Sequence, residues 1–180
     1  MHQRVCVFCG SRSGHELIYA QAARDLARGL VSRNYGLVYG GGSIGLMGTL
    51  ADAAIAAGGE VIGVIPESLA RAEVAHDGIT QLHIVTTMHE RKALMAELSN
   101  GFVTLPGGLG TMEEFSEVLT WRQLGLHDKP IALLNLDGFY DRLLALYDQM
   151  QARGFMSAAS RSLFTVTNSV DELLASFLRH

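Results

Sequence analysis

The chain carries, from residue 101, the stretch Gly101-Phe-Val-Thr-Leu-Pro-Gly-Gly-Leu-Gly-Thr-Met-Glu-Glu114. Its first five residues form a short apolar run that is typical of a buried strand, and apolar residues at helical spacing follow Thr111. Glycines and a threonine therefore lie where a strand passes into a helix. Glycine lets a ligand approach the backbone closely, and the first N–H groups of a helix have no intrahelical partner. Together with the helix dipole, these donors predict an anion site, most naturally for phosphate.

Two carboxylates, Glu113 and Glu114, follow the glycines in the first helical turn. Acidic side chains stabilise helix N-termini, which explains one of them. A carboxylate beside a bound phosphate repels it unless a cation lies between the two. The candidate cation is Arg91, because a guanidinium fork suits carboxylate or phosphate better than an ammonium does. We expect Arg91 at the ligand edge of the sheet, on the strand next to the phosphate loop.

Strand and helix alternate along the chain, and several strands are apolar on both faces. This pattern predicts a single doubly wound α/β domain over residues 1–180, a Rossmann-like parallel sheet with helices on both faces. The predicted strands cover residues 5–9, 36–39, 60–65, 81–85, 101–105, 130–134 and 163–167, and residues 66–80 form the longest irregular connection. Ligands bind such folds at the carboxyl ends of the strands, near the point where strand order reverses.

Composition restricts the class of partner. The net charge is −4 without a run of lysine or arginine, so a nucleic-acid polymer is an unexpected partner. No apolar run approaches membrane-spanning length. The first strand begins within a few residues of the N-terminus, so we expect no signal peptide and a cytoplasmic protein.

Cysteine and histidine usage predicts neither redox chemistry nor a metal site. Cys6 and Cys9 lie in or at the end of the first strand, where residues three apart point to opposite faces, so we expect both to be packing residues. The seven histidines form no pair at ligand spacing.

Two other features of the sequence bear on cofactors, namely a dinucleotide-like glycine pattern and the positions of the lysines. The segment Gly40-Gly-Gly-Ser-Ile-Gly45 matches the dinucleotide pattern G-x-G-x-x-G, but it follows the second strand, and Glu60, the acid about 20 residues on, begins a strand instead of ending one. An NAD-dependent enzyme, binding dinucleotide through Gly40–Gly45, remains an alternative. Lys92 and Lys129 are the only lysines, and neither is well placed to form a pyridoxal-phosphate Schiff base.

The segment Pro106–Glu114 resembles the P-G-G-x-G-T-x-x-E signature of the LOG (Lonely Guy) family. The resemblance extends to Cys9–Ser11, Tyr39–Gly48, Met88–Lys92 and Trp121. Members are cytokinin riboside 5′-monophosphate phosphoribohydrolases, often mislabelled as lysine decarboxylases, which cleave AMP-type nucleotides to a free base and ribose 5-phosphate. The resemblance implies a hydrolase of small-molecule substrates, without metal or redox cofactor, that forms a homodimer.

The same resemblance assigns site residues. Arg91 and Glu114 match the catalytic arginine and glutamate of the family. The substrate-contacting positions that it implies are Glu73, Arg91, Lys92, Gly108, Leu109, Gly110, Thr111, Met112, Glu113, Glu114 and Thr120. Glu73 matches by spacing alone. Thr120 follows Glu113 by seven residues, two helical turns, so both can face one cleft.

The chemistry expected from the residues agrees with this family. Breaking a C1′–N9 bond develops positive charge on the ribose, and a carboxylate near C1′, here Glu114, would stabilise it or activate water. Arg91 would hold substrate and glutamate in register. The group that protonates the leaving base stays open among Glu113, water and the nitrogens of the base.

The sequence leaves alternatives for the class of function and for the residues of the base pocket. A non-catalytic nucleotide or cofactor carrier, such as a molybdenum-cofactor carrier protein, is the competing class, and the combination of Arg91 with Glu114 favours the enzyme. Met47, Met88 and Met112 are candidates for an apolar base pocket and equally for the core.

Overall fold

The computed structural model describes residues 3–70 and 74–177. Within them the strands are β1 Arg4–Phe8, β2 Gly36–Tyr39, β3 Val61–Pro66, β4 Gln81–Val85, β5 Gly101–Thr104, β6 Ile131–Leu134 and β7 Thr165–Thr167. The helices are α1 Leu17–Val31, α2 Gly45–Ala56, α3 Glu67–Ala70, α4 Met88–Glu97, α5 Leu109–Gln123, α6 Asp141–Ala152, α7 Ala158–Arg161 and α8 Val170–Phe177, with a 3-10 turn at Leu136–Gly138. In these ranges no helix is long and apolar enough to cross a membrane.

The strands form one parallel sheet in the order β4-β3-β2-β1-β5-β6-β7. Strand order reverses between β1 and β5, which pair from Val5 opposite Gly101 to Phe8 opposite Thr104. The chain leaves these two neighbouring strands toward different helices, and this leaves a crevice at their carboxyl ends. The predicted doubly wound sheet is confirmed, and the crevice lies beside the segment Pro106–Glu114.

Apolar layers cover both faces of the sheet. One layer joins the sheet to α1, α2 and α8 through residues such as Leu26, Leu50 and Leu173. The other joins it to α4, α5 and α6 through residues such as Met95 and Phe115. Cys9 belongs to the first layer and Cys6 to the second, so the prediction that the two cysteines pack on opposite faces is confirmed.

The prediction that Arg91 lies on the strand next to the phosphate loop is wrong. The preceding strand, β4, lies at the edge of the sheet, and β3, β2 and β1 separate it from β5. Because α4 connects this edge strand to the central strand β5, it crosses one face of the sheet. Its first turn therefore meets the carboxyl ends of β2 and β3 rather than the strand beside the phosphate loop. Strand order is set by long-range packing, which the local sequence does not encode.

Element ends differ from the predicted ones in small ways. Pro66 is the last residue of β3 instead of its stop. The connection predicted as irregular over residues 66–80 contains the short helix α3. The helix α7 was not predicted, since one helical turn is too short to give a periodic apolar pattern.

The glycines of the segment Gly40–Gly48 have a packing cause. A Cβ added to Gly45 would overlap the backbone of Ser11, and one added to Gly48 would overlap the backbone carbonyl of Ser43. The N–H of Leu46, in the first turn of α2, donates to the carbonyl of Gly10 at 3.1 Å. This segment is therefore packed tightly against the loop after β1, which explains its glycines without a dinucleotide.

Replacing Gly48 by alanine is expected to lower the free energy of unfolding by about 2 kcal/mol, because the added methyl group meets rigid backbone. Gly29 is a matched control in the helix α1. Its added Cβ meets only the end of the Leu174 side chain, and the gain in helix propensity offsets much of the repacking. Urea denaturation of Gly48→Ala and Gly29→Ala measures the difference, and equal stabilities would contradict the packing explanation.

Candidate active site

A cavity of about 140 Å³ opens where strand order reverses. Its floor is the end of β1, residues Val7 to Cys9. One side is formed by residues that follow β2 and β4, namely Gly40, Met47, Met88 and Arg91. The opposite side is formed by Ser11 and by the start of α5, namely Gly108, Leu109, Gly110, Thr111 and Glu114.

Arg91 is a buried arginine, 4% exposed. Its Nε donates to the carbonyl of Val64 at 3.1 Å, and its Nη2 donates to the carbonyl of Gly40 at 2.8 Å. A Cβ on Gly40 would overlap the guanidinium, so this position accepts only glycine. Two backbone carbonyls thus fix the side chain where α4 crosses the ends of β2 and β3.

The first turn of α4 is itself fixed by a capping box. The hydroxyl of Thr87 accepts from the N–H of Glu90 at 3.1 Å, and the carboxylate of Glu90 accepts from the N–H groups of Thr86 and Thr87. This reciprocal pairing satisfies donors that have no partner within the helix. It also places Arg91 one residue after the box, with its side chain directed toward the sheet.

Glu114 is the acidic partner of Arg91. Its Oε1 lies 4.0 Å from Nη1 of Arg91, and both side chains are about nine-tenths buried. Burial of a carboxylate is unfavourable unless a cation and hydrogen bonds compensate it. Burial raises the pKa of the nearby Cys6 thiol, and the charge of Glu114 raises it further, so Cys6 is a neutral thiol beneath the site.

The start of α5 is open toward the cavity. Gly108 is the N-cap residue and makes no side-chain hydrogen bond, and the first intrahelical bond runs from the N–H of Met112 to the carbonyl of Gly108 at 3.1 Å. The N–H groups of Leu109, Gly110 and Thr111 precede this bond. The positions that a Cβ would take at Gly108 and Gly110 have no atom within 4 Å. Free space at the two glycines, donors without an intrahelical partner and the positive end of a helix dipole together favour an anion.

A second cavity, of about 490 Å³, lies on the other side of the segment 106–109, which leads into α5. It is bounded by the loops 10–14 and 106–109 and by the rings of Tyr19 and Phe139. The two cavities share Ser11, Gly108 and Leu109, which lie on the side of the first cavity formed by the start of α5. Neither Arg91 nor Glu114 lines the second cavity.

Comparison with known proteins places this arrangement in a family. A family model described as "Possible lysine decarboxylase" matches residues 47–177. The chain is 50% identical over 171 residues to the probable cytokinin riboside 5′-monophosphate phosphoribohydrolase LOGL1 of Oryza sativa subsp. japonica, covering 95% of this chain and 77% of that protein. The chain belongs to the LOG family. It is also 49% identical over 172 residues to cytokinin riboside 5′-monophosphate phosphoribohydrolase LOG2 of Arabidopsis thaliana, covering 96% and 81%.

Solved structures with the same fold extend beyond the LOG family. The molybdenum cofactor carrier protein MCP of Chlamydomonas reinhardtii aligns with a TM-score of 0.73 at 21% identity, covering 97% of this chain and 95% of that one. The molybdenum cofactor binding protein of Rippkaea orientalis aligns with a TM-score of 0.73 at 19% identity, covering 97% and 94%. At these identities the likeness concerns the fold alone.

The cavity brings together one part of the residues that the LOG resemblance implies. Arg91, Glu114 and the run Gly108–Thr111 line it. Lys92, Met112, Glu113 and Thr120 do not line it, and Glu73 lies outside the described residues. The exposed Thr120 donates its hydroxyl to the carbonyl of Ser116 at 2.7 Å. Substrate contact stays a prediction for all of these residues, those that line the cavity included.

Several cavity residues were not assigned to the site from the sequence. Cys9, expected only as a packing residue, also forms part of the floor, and Gly40 and Ser11 line the cavity walls. Of the three methionines named from the sequence as candidates for a base pocket or the core, Met47 and Met88 line the cavity, whereas Met112 packs against the core layer of α5. For Cys9, Ser11 and Gly40 the available signal was position, because each lies just after the carboxyl end of a strand.

Neither lysine lies where a Schiff base would serve this cavity, despite the description of the family model. The amine of Lys129 donates to the carbonyl of Ala96 at 2.7 Å, near the C-terminal end of α4. Lys92 is held by Glu113 and Glu117. In the described ranges, no group of three His, Cys, Asp or Glu side chains could hold a metal ion.

Replacing Arg91 by methionine is expected to lower the free energy of unfolding by about 3 to 5 kcal/mol. The substitution leaves the carbonyls of Gly40 and Val64 without their donor and Glu114 buried without its cation. Arg28 serves as control, since its pair with Asp25 is exposed and its loss is worth under about 1 kcal/mol. Chemical denaturation of Arg91→Met and Arg28→Met measures both, and similar small losses would show that the buried pair contributes little.

Proposed function

We propose that this protein hydrolyses the N-glycosidic bond of cytokinin-type adenosine 5′-monophosphates and of AMP, releasing the free base and ribose 5-phosphate. The observation that carries the proposal is the buried Arg91–Glu114 pair beside the open N-terminus of α5. The names of the relatives at about half identity support the same activity. A homodimer and a cytoplasmic location belong to the proposal as well. The first rests on the LOG resemblance and the second on the sequence.

The position of the 5′-phosphate follows from the start of α5. Leu109, Gly110 and Thr111 line the cavity at the start of α5, where backbone N–H groups lack intrahelical partners and the helix dipole favours negative charge. Ser11 lies at the same end. A phosphate bound there leaves the ribose to extend inward, toward Glu114 in the second turn of the same helix.

The direction of the base follows from the structure of a nucleotide. The phosphate on C5′ and the base on C1′ lie at opposite ends of the ribose. With the phosphate at the start of α5 and C1′ beside Glu114, the base extends toward the far wall of Gly40, Met47 and Met88. The second cavity adjoins only the phosphate end, so it does not receive the base. The two methionine side chains offer a soft apolar wall for a base carrying an N6 substituent.

The chemistry proceeds through the protein's own groups. As the C1′–N9 bond breaks, its electron pair leaves with the base and positive charge develops on the ribose. The carboxylate of Glu114 stabilises this charge and accepts a proton from the water that attacks C1′. The water oxygen becomes the new hydroxyl of ribose 5-phosphate, and the base gains a proton. Arg91, fixed by two carbonyls, faces the carboxylate and orients it.

The direct test is to incubate the purified protein with AMP and, separately, with N6-isopentenyladenosine 5′-monophosphate, and to separate the products by chromatography. We expect free base and ribose 5-phosphate in equal amounts, without added metal. Nucleotide binding without release of base from either compound would contradict the proposal and favour a carrier.

Replacing Glu114 by glutamine is expected to lower kcat by roughly 100-fold or more, because the amide neither carries the negative charge nor accepts the proton. Nucleotide binding should persist, since the phosphate donors are backbone groups. The control is Glu97→Gln, which removes an exposed carboxylate from the end of α4. Retention of wild-type turnover by Glu114→Gln would eliminate Glu114 as the catalytic carboxylate.

Met88 gives a test of the direction of the base. It lines the mouth of the cavity and is 38% exposed. Replacing it by glutamine, similar in length but polar, is expected to lower the kcat/KM ratio of the isopentenylated nucleotide over AMP by roughly tenfold. Met88→Leu should keep the ratio.

Phe139 of the second cavity provides the control for this measurement. Phe139→Ala should leave the ratio unchanged, because its ring lines only the cavity at the phosphate end. A ratio that responds to Phe139→Ala and not to Met88→Gln would place the N6 substituent in the second cavity instead.

A further inference from the structure

A strained turn precedes Phe139, whose ring lines the second cavity. Asp137 and Gly138 both take left-handed backbone conformations, with φ of 49° and 70°. Outside glycine this conformation is uncommon and persists only where its surroundings fix it. Here the side chain of Asn135 fixes the turn, because its Oδ1 accepts from the N–H of Tyr140 at 2.7 Å. The proposed hydrolysis gives this turn no role.

The turn holds the ring of Phe139 in one place at the cavity. The ring makes edge-to-face contacts with Tyr140, at 4.8 Å between centroids, and with Tyr19, at 5.8 Å. Tyr140 is itself buried, and its hydroxyl donates to the carbonyl of Leu105 at 2.7 Å. Phe139 nevertheless stays 42% exposed. An aromatic side chain that its neighbours fix at a cavity, without burying it in the core, is typical of a ligand site.

The loop 10–14 gives the second cavity a polar and positively charged wall. Ser11, Arg12 and Ser13 line the cavity there. Arg12 is exposed and makes no hydrogen bond or ion pair within residues 3–70 and 74–177. Among the same described residues, no aspartate or glutamate lines this cavity. Aromatic rings and an unpaired guanidinium therefore face one space, and the charge favours an anionic ligand.

The second cavity also adjoins the start of α5, through Ser11, Gly108 and Leu109. An anion bound at this helix start, as in the proposed function, therefore borders both cavities. Arg91 and Glu114 line only the first cavity. A ligand whose anion binds the helix start and whose remainder fills the second cavity thus lies away from the catalytic pair.

We propose that the second cavity binds the ring of a phosphorylated planar aromatic compound, whose phosphate lies between Arg12 and the start of α5. The rings of Tyr19 and Phe139 contact the aromatic part, and the guanidinium pairs with the phosphate. The cavity volume, about 490 Å³, lies within the range of about 300 to 1,000 Å³ that is usual for small-molecule sites.

Such a compound inhibits the enzyme, because it is bound without being cleaved and one helix start holds one phosphate. This competition with AMP rests on the phosphate position in the proposed function. The binding of the aromatic ring in the second cavity does not depend on turnover.

The binding test uses 1-naphthyl phosphate, a planar aromatic phosphate without a glycosidic bond, and isothermal titration calorimetry. We expect Phe139→Ala and Arg12→Gln each to raise its Kd by about tenfold or more, because one removes the aromatic wall and the other a charge-assisted hydrogen bond. Phe155→Ala and Arg28→Gln are matched controls, since they remove an exposed ring and an exposed guanidinium elsewhere. Both should keep the wild-type Kd.

Two results of this titration would overturn the inference. Met88 lines only the first cavity, so a Kd that rises in Met88→Gln and not in Phe139→Ala would place the ring in the first cavity. Absence of binding to the wild-type protein at millimolar concentration would remove the site altogether. Arg12→Gln alters an exposed side chain, so it tests the site even where Phe139→Ala fails to fold.

A competition measurement separates this inference from the proposed function. In Glu114→Gln, which should leave AMP intact, 1-naphthyl phosphate is expected to raise the apparent Kd of AMP in proportion to its own concentration. Simultaneous binding of both compounds would overturn the shared phosphate position. Absence of base release by the wild-type protein, with binding of 1-naphthyl phosphate still dependent on Phe139, would overturn the proposed function and support the second site.

Discussion

The burial of one guanidinium governs much of this structure. Arg91 is almost fully buried, so most of its donors need partners within the protein, and two of these partners are backbone carbonyls at the ends of β2 and β3. That arrangement requires glycine at position 40, since any side chain there would displace the guanidinium. It requires the capping box that fixes the first turn of α4. It also requires a carboxylate within reach, because a buried cation without one is strongly unfavourable.

The partner carboxylate connects this constraint to the chemistry. Glu114 belongs to the helix whose open N-terminus favours an anion, so one helix presents the proposed phosphate donors and the buried acid about one turn apart. A 5′-nucleotide has its phosphate and its anomeric carbon at a similar separation, on opposite sides of the ribose. The doubly wound fold provides the crevice. In the proposed function, the charges of Arg91, Glu114 and the start of α5 determine which substrate reacts there. Similar folds at about 20% identity show that the crevice alone does not determine function.

Much of the fold could be predicted from local sequence. Alternating apolar strands and amphipathic helices specified a parallel sheet, and the glycines after β5 marked a ligand loop. The order of the strands could not be predicted, because long-range packing decides which strands become neighbours. For that reason Arg91 was expected beside the phosphate loop, whereas it reaches the cavity from a helix that crosses from the edge strand.

Of the predicted site residues, some line the cavity and others do not, for a related reason. Sequence motifs identify residues by spacing but carry no direction, so the LOG resemblance implies substrate contact for both Arg91 and Lys92. Only the helix geometry separates the one that lines the cavity from the one held between two helices. Met88 and Met112 are a second such pair, similar in the sequence and different in their surroundings.

The central claim is that the Arg91–Glu114 pair acts on the anomeric carbon of a nucleotide whose phosphate binds the start of α5. A crystal structure of the Glu114→Gln variant with intact AMP tests it most directly. The account predicts phosphate oxygens within hydrogen-bonding distance of the N–H groups of Leu109, Gly110 and Thr111, with C1′ as the ribose carbon nearest to residue 114. A phosphate bound away from α5, or a base rather than a ribose beside residue 114, would contradict the account.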